Sequence, residues 1–134
     1  MFPGKEMERA QDWLRQAERD LAAAENSAAS GFHEWAAFGA QQCGQKALKA
    51  LAQSLHGAVR GHSLTAILRA ILGEGAPPEE ILEAARELDQ VYVTSRYPNG
   101  FASGSPLDYF SDKTSERLLR HARTILQFSR GRIS

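Results

Sequence analysis

The chain has 134 residues, as many Lys and Arg as Asp and Glu (16 of each), and 43% hydrophobic residues. That is enough for one packed core and too apolar for disorder. A net charge of zero excludes recruitment of nucleic acid or an anionic membrane by a global field, so any such binding has to come from a local patch. The single cysteine, Cys43, excludes an internal disulfide framework and fits a reducing compartment. Neither a signal-peptide core near the N-terminus nor an apolar run near the ~20 residues of a membrane span is present. The expectation is a soluble cytoplasmic protein of one domain, residues 1–134.

The first pattern runs from about Lys5 to Ala29. Met7, Ala10, Leu14, Ala17, Leu21, Ala24 and Ala28 step by three and four, an apolar stripe opposite a face rich in Glu, Asp and Arg. Gly31 is placed to end it. A second helix is predicted from about Phe32 to Leu55, with Ala36, Ala40, Cys43, Ala47, Ala50, Leu51 and Leu55 as its stripe. Its small residues allow close backbone approach and predict a central position. Trp35 and Phe38 widen the apolar surface, while Gln41, Gln42, Gln45 and Lys46 interrupt it. Gln42 and Lys46 share a face. They read either as the solvated edge of the stripe or as a polar groove able to hold an anion or a partner's backbone.

Gly57 and Gly61 bracket a loop, and Ser63 is a suitable N-cap for a short helix carrying Leu64, Ile67, Leu68, Ile71 and Leu72. Pro77 and Pro78 suit the first turn of a fourth helix, with Glu79 and Glu80 favouring its positive end. Its stripe is Ile81, Leu82, Ala85, Leu88, Val91 and Tyr92. A loop follows from Arg96 to about Gly104, the longest connection in the chain. Ser105-Pro106 starts the last helix, with Leu118, Leu119, Ala122, Ile125 and Leu126 buried and a frayed basic tail after it. No segment alternates with period two. The fold class expected is all-α, an antiparallel up-and-down bundle of four to five helices.

The run from Glu8 to Gly57, then "GHSLTAIL", then "YVTSRYP", resembles the HEPN domain family. The matching features are Trp13 and Asp20-Leu21, Ala36-Ala37-Phe38, Gln41-Gln42 with Gln45 to Ala50, His62-Ser63-Leu64 and Arg96-Tyr97-Pro98, in that order. The resemblance implies an HEPN-like helical bundle that commonly forms a homodimer. It implies a partner, a minimal nucleotidyltransferase encoded beside it, in a toxin–antitoxin-like module. In several such pairs the HEPN protein is a metal-independent RNase, with a signature of an arginine, four to six residues, then a histidine. Here Arg60 and His62 are separated by one residue, and Arg117 and His121 by three. Arg117 and His121 share a helical face and are the catalytic candidates if an RNase survives with a rearranged pair; Arg96 with His62 through space is the other option.

The corner at residues 96–98 has two readings. As a site, Arg96 makes a bidentate contact with phosphate or carboxylate and Tyr97 stacks on a base, with Lys46, His62, Gln42 and Asp20 as companions. As a helix terminus, Arg96 bonds the last carbonyls or pairs with an acid such as Asp20, and Tyr97 is core. His33 and His56 read as exposed helix-end residues, and Cys43 as core rather than nucleophile. The four histidines and one cysteine lack zinc spacing, so no metal and no cofactor are expected. The acidic fourth helix and the basic C-terminal segment (Arg117, Arg120, Arg123, Arg130, Arg132) are expected to attract each other. The functional expectation is a small helical protein binding a nucleotide or phosphate and pairing with the nucleotidyltransferase. The alternatives are a dimeric RNase and a ligand-free assembly adaptor.

Overall fold

A computed structural model describes residues 3–55, 57–73, 75 and 77–133. Helices α1 (Pro3–Ala29), α2 (His33–Leu55), α3 (Leu64–Leu72), α4 (Glu79–Thr94), α5 (Pro106–Tyr109) and α6 (Asp112–Arg132) follow in order, with a 3-10 turn at Pro98–Gly100. No strand occurs among the described residues. The chain is an all-α bundle.

Helix α2 is the centre and packs against α1, α3, α4, α5 and α6. The small residues of its stripe, which predicted a central position, are what permit this. Ala36, Ala37, Ala40, Ala47, Ala50 and Ala52 are all fully buried, so neighbouring helices pack close against it. The closest approach is to α1. A Cβ added at Gly39 would lie 2.7 Å from the Cβ of Ala24 and 3.3 Å from its Cα, so this crossing requires glycine.

Helix α3 has nine residues, too few to be stable alone. Burial of Leu64, Ile67, Leu68 and Ile71 fixes it to the core, at about 1.5–3 kcal/mol for each large side chain. Its N-terminus has two caps. Ser63 Oγ accepts from the Ala66 N–H, and Asp89 of α4 accepts from the N–H groups of Leu64 (2.6 Å) and Thr65 (3.2 Å) and from both hydroxyls, Ser63 and Thr65. The carboxylate thereby sits at the positive end of the helix.

Several boundaries differ from expectation. The last helix is split: Ser105 and Asp108 form a capping box around the single turn of α5, and Ser111 caps a fresh start at α6 by accepting from the Thr114 N–H. Pro78 is the N-cap of α4, so Pro77 and Pro78 precede the first turn instead of forming it. Leu55 is 55% exposed because it ends α2 beyond the bundle. The C-terminal segment is not frayed. Helix α6 runs to Arg132, Ile133 is buried, Arg130 reaches Glu18 of α1 and Arg132 lies over the Phe128 ring.

The close α1–α2 crossing yields a stability prediction. Gly39→Val places branched carbon where Ala24 already stands, and overpacking of this kind costs about 1–3 kcal/mol. The expected outcome is a lower urea midpoint at unchanged m-value; a midpoint equal to wild type would mean the helices separate without cost.

Candidate functional site

Helices α1 and α2 run antiparallel, and their facing residues open a surface cleft of about 390 Å³ above the Gly39–Ala24 contact. On α2, Trp35, Phe38, Gln42 and Lys46 recur every three or four residues and share one face. On α1, Asp20, Ala23, Ala24 and Ser27 do the same. The two faces produce a polarised cleft. One end holds Lys46, whose Nζ donates to Asp20 Oδ2 at 2.6 Å, with Gln16 Nε2 donating to Asp20 Oδ1 at 3.1 Å. The other end is aromatic, with Trp35 and Phe38 in edge-to-face contact at 6.4 Å between centroids.

Gln42 joins this cleft to a buried polar network. Its Nε2 donates to Gln41 Oε1 at 2.9 Å. Gln41, fully buried, donates from Nε2 to Gln45 Oε1 (3.2 Å) and to the His62 carbonyl (3.0 Å). A buried amide costs stability unless it is satisfied, and this one is satisfied by tying the loop before α3 to α2. The anchored His62 stacks its ring on Tyr92 at 3.9 Å with the planes 6° apart.

Arg96 lies on the same aromatic cluster. Its Nε (3.0 Å) and Nη2 (2.8 Å) both donate to the Tyr92 carbonyl, one turn back in α4. Its guanidinium carbon is 4.3 Å from the Phe38 centroid, 4.6 Å from that of Tyr92 and 5.1 Å from that of Tyr97. Such cation–π contacts contribute about 0.5–2 kcal/mol each and hold a charge that forms no ion pair among the described residues. Arg96 therefore does bond a terminal carbonyl, but Asp20 pairs with Lys46 instead. Tyr97 is half exposed and is not core.

Arg96 and Lys46 do not touch. Phe38 relates them: its ring packs on the guanidinium and also lines the cleft that Lys46 closes. Asp20, Gln42 and Lys46 therefore form one group, and Arg96, Tyr97 and the His62 ring another, connected by Phe38 and the glutamines.

Arg117 and His121 lie apart from both groups, at the seam between α4 and α6. Arg117 Nε donates to Glu87 Oε1 at 2.9 Å and His121 Nε2 meets Glu87 Oε2. Partial burial pushes the Glu87 carboxyl up, but the hydrogen bonds and charges of His121 and Arg117 together outweigh that and hold it below the usual carboxylate range. This is the contact expected between the acidic and basic helices. The other basic residues of α6 behave differently: Arg123 and Arg130 pair with Glu25 and Glu18 of α1. His33 is not a free surface group, since its Nδ1 lies 2.8 Å from Ser115 Oγ; His56 lies outside the described residues. Cys43 is fully buried, and desolvation, reinforced by the Asp20 charge, pushes its thiol up to about 12. Among the described residues no three His, Cys, Asp or Glu side chains are grouped to hold a metal, and no helix is long and apolar enough to cross a membrane.

The HEPN family model matches residues 10–132, nearly the whole chain. The chain belongs to the HEPN domain family. The crystal structure of TT1696 from Thermus thermophilus is similar at 35% identity and a TM-score of 0.88, over 92% of this chain and 98% of that one. ST0689, an archaeal HEPN homologue, is 37% identical with a TM-score of 0.80, over 93% and 98%. An HEPN domain protein from Thermotoga maritima is 31% identical with a TM-score of 0.72, over 90% and 95%. No curated protein matches. Of the residues that carried the HEPN resemblance, Gln41, Gln42 and His62 take part in the polar network, and Arg96 lies on the aromatic cluster beside it.

The sequence marks Glu87 and Asp89 as part of the acidic fourth helix, but sequence reasoning missed Asp89 as the cap of α3 and the pairing of Trp35 with Phe38 as a cleft wall. The spacing of Trp35, Phe38, Gln42 and Lys46 on one helical face was the available signal for the last.

Two outcomes follow from the electrostatics. A lowered folded pKa makes Glu87 stabilising above its ordinary value of 4.5, and that contribution is lost as pH falls through the lowered folded value. The stability difference between wild type and Glu87→Gln is expected to be larger at pH 6 than at pH 3; equal differences at both would contradict the depressed pKa. The Cys43 thiol is expected to resist alkylation at pH 8 in folded protein and react fully in denaturant, as read by mass spectrometry.

Proposed function

We propose that this HEPN-domain protein binds a nucleotide through Arg96 and works as the partner of a minimal nucleotidyltransferase, in a toxin–antitoxin-like module. The observation that carries the ligand reading is the state of Arg96. Two of its donors are held by the Tyr92 carbonyl, which sets the plane of the guanidinium, and aromatic rings hold the rest of the group in place. No carboxylate neutralises it among the described residues, so its remaining N–H donors and its charge are available to a phosphate. A guanidinium immobilised before binding loses little further entropy on taking a ligand.

Family membership supports the nucleotidyltransferase pairing and the homodimer. Exposed apolar side chains near the start of α2 and on α5 (Phe32, Leu107 and Tyr109) supply surface that a partner would cover. The RNase alternative has less support. Of its two candidate pairs, Arg117 and His121 are both engaged by a single carboxylate of the same chain, whereas Arg96 and the His62 ring both lie on the Tyr92 ring.

Titration of the protein with ATP, followed calorimetrically, tests the ligand reading. Arg96→Ala is expected to weaken binding at least tenfold and Arg96→Lys by less, because an ammonium keeps the charge without the fork. Absence of ATP binding by the wild type, or equal affinity in Arg96→Ala, would refute it. Co-expression with the nucleotidyltransferase encoded beside the gene is expected to yield a complex that co-elutes in size-exclusion chromatography.

A further inference from the structure

We infer that the α1–α2 cleft is the subsite for the base of that nucleotide, and that Lys46, despite its charge, reads the base edge and not the phosphate. This rests on the nucleotide-binding reading above and assigns its other half.

The charge arithmetic of the cleft decides the class of ligand. Among the described residues that line it, the charged side chains are Lys46 and Asp20, and they neutralise each other at 2.6 Å. Both are largely shielded, with 22% and 17% of their side chains exposed, so the pair is a fixed dipole more than a free cation. A phosphate placed here would have to approach a carboxylate, which opposes anion binding. A neutral group carrying both donors and acceptors meets no such penalty. One Lys46 N–H goes to Asp20 and the others remain for an acceptor on the ligand. Gln42 spends its amide N–H on Gln41, and its Oε1 accepts no hydrogen bond from a described residue. The polar end thus offers donors from Lys46 and acceptors from Gln42 and Asp20 within one short stretch of helix surface. The edge of a nucleobase carries that alternation of ring nitrogen, carbonyl and amine.

The opposite end supplies what the face of a base requires. Trp35 is 52% exposed and is held edge-to-face by Phe38, so its indole is available for stacking while its position is set. Between the ends lies a floor of small groups, Ala23, Ala24 and Gly39, brought close by the tight helix crossing. The cleft volume, about 390 Å³, lies toward the small end of the usual range for ligand cavities, about 300–1,000 Å³. Phe38 connects the two halves of the site: a base stacked beside it would have Arg96, on the same ring, within reach of its phosphates.

The test separates base from phosphate on the full chain, using ATP, GTP, adenosine, guanosine and pyrophosphate as probes in calorimetric titrations. Trp35→Ala and Gln42→Leu are expected to weaken ATP or GTP at least tenfold and the matching nucleoside by a similar factor, while leaving pyrophosphate affinity unchanged. Trp35 is exposed on α2 and Gln42 is half-buried beside Gln41, and circular dichroism verifies that the variants fold. In a Trp13→Phe background, nucleosides are expected to quench the fluorescence of Trp35 and pyrophosphate is not. Nucleotide affinity unaltered in both cleft variants would overturn the base subsite and leave the nucleotide-binding reading standing. So would pyrophosphate affinity falling together with nucleotide affinity in Gln42→Leu. Absence of binding by every probe would overturn both.

Discussion

The architecture of this protein depends on the contact between Gly39 and Ala24. At that point α1 and α2 come closer than any other residue at position 39 permits, since an added Cβ would meet Ala24 at 2.7 Å. The crossing sets the antiparallel register that brings Asp20 opposite Lys46 and Ser27 opposite Trp35. It also leaves a shallow floor where larger side chains would have filled the groove. The cleft is thus a by-product of tight packing, in which small residues bury the helix backbones while their longer neighbours rise as walls.

From α2 the polar network spreads outward through Gln41. Its fully buried amide holds the His62 carbonyl, the loop holds the start of α3, and Asp89 of α4 caps that start from the other side. Three helices therefore converge on one loop through hydrogen bonds that are expensive to leave unmade. The His62 ring, Tyr92 and Arg96 form a layer above it. The rigidity of the candidate phosphate site then comes from the same bonds that close the bundle, so the site and the fold are not separate layers of the design.

Two ion pairs show how identical chemistry serves different ends. Lys46 and Asp20 lie in a cleft lined with aromatic rings, where they neutralise each other. Arg117, His121 and Glu87 lie on the seam between α4 and α6, where a carboxylate shared by two bases joins the helices. Cations elsewhere on α6 clasp α1 through Glu18 and Glu25, which ties the last helix to the first.

The apolar stripes of α1, α2, α4 and α6 were legible in the sequence because a 3.6-residue period is a local property, and so were the cap at Ser63 and the break at Pro98. The resemblance to HEPN proteins was legible for the same reason: its motifs are short runs in fixed order. What the sequence could not decide was which polar groups would meet. Arg96 reads equally well as a ligand of phosphate, a partner of Asp20 or a helix cap, since all three use the same donors. Only the packing of α1 on α2 gives Asp20 to Lys46, and only the fold-back of Arg96 onto Tyr92 leaves its charge unpaired among the described residues. Periodicity is written residue by residue along the chain, whereas pairing between side chains depends on the register of helices far apart in sequence, and that register exists only once the core has closed.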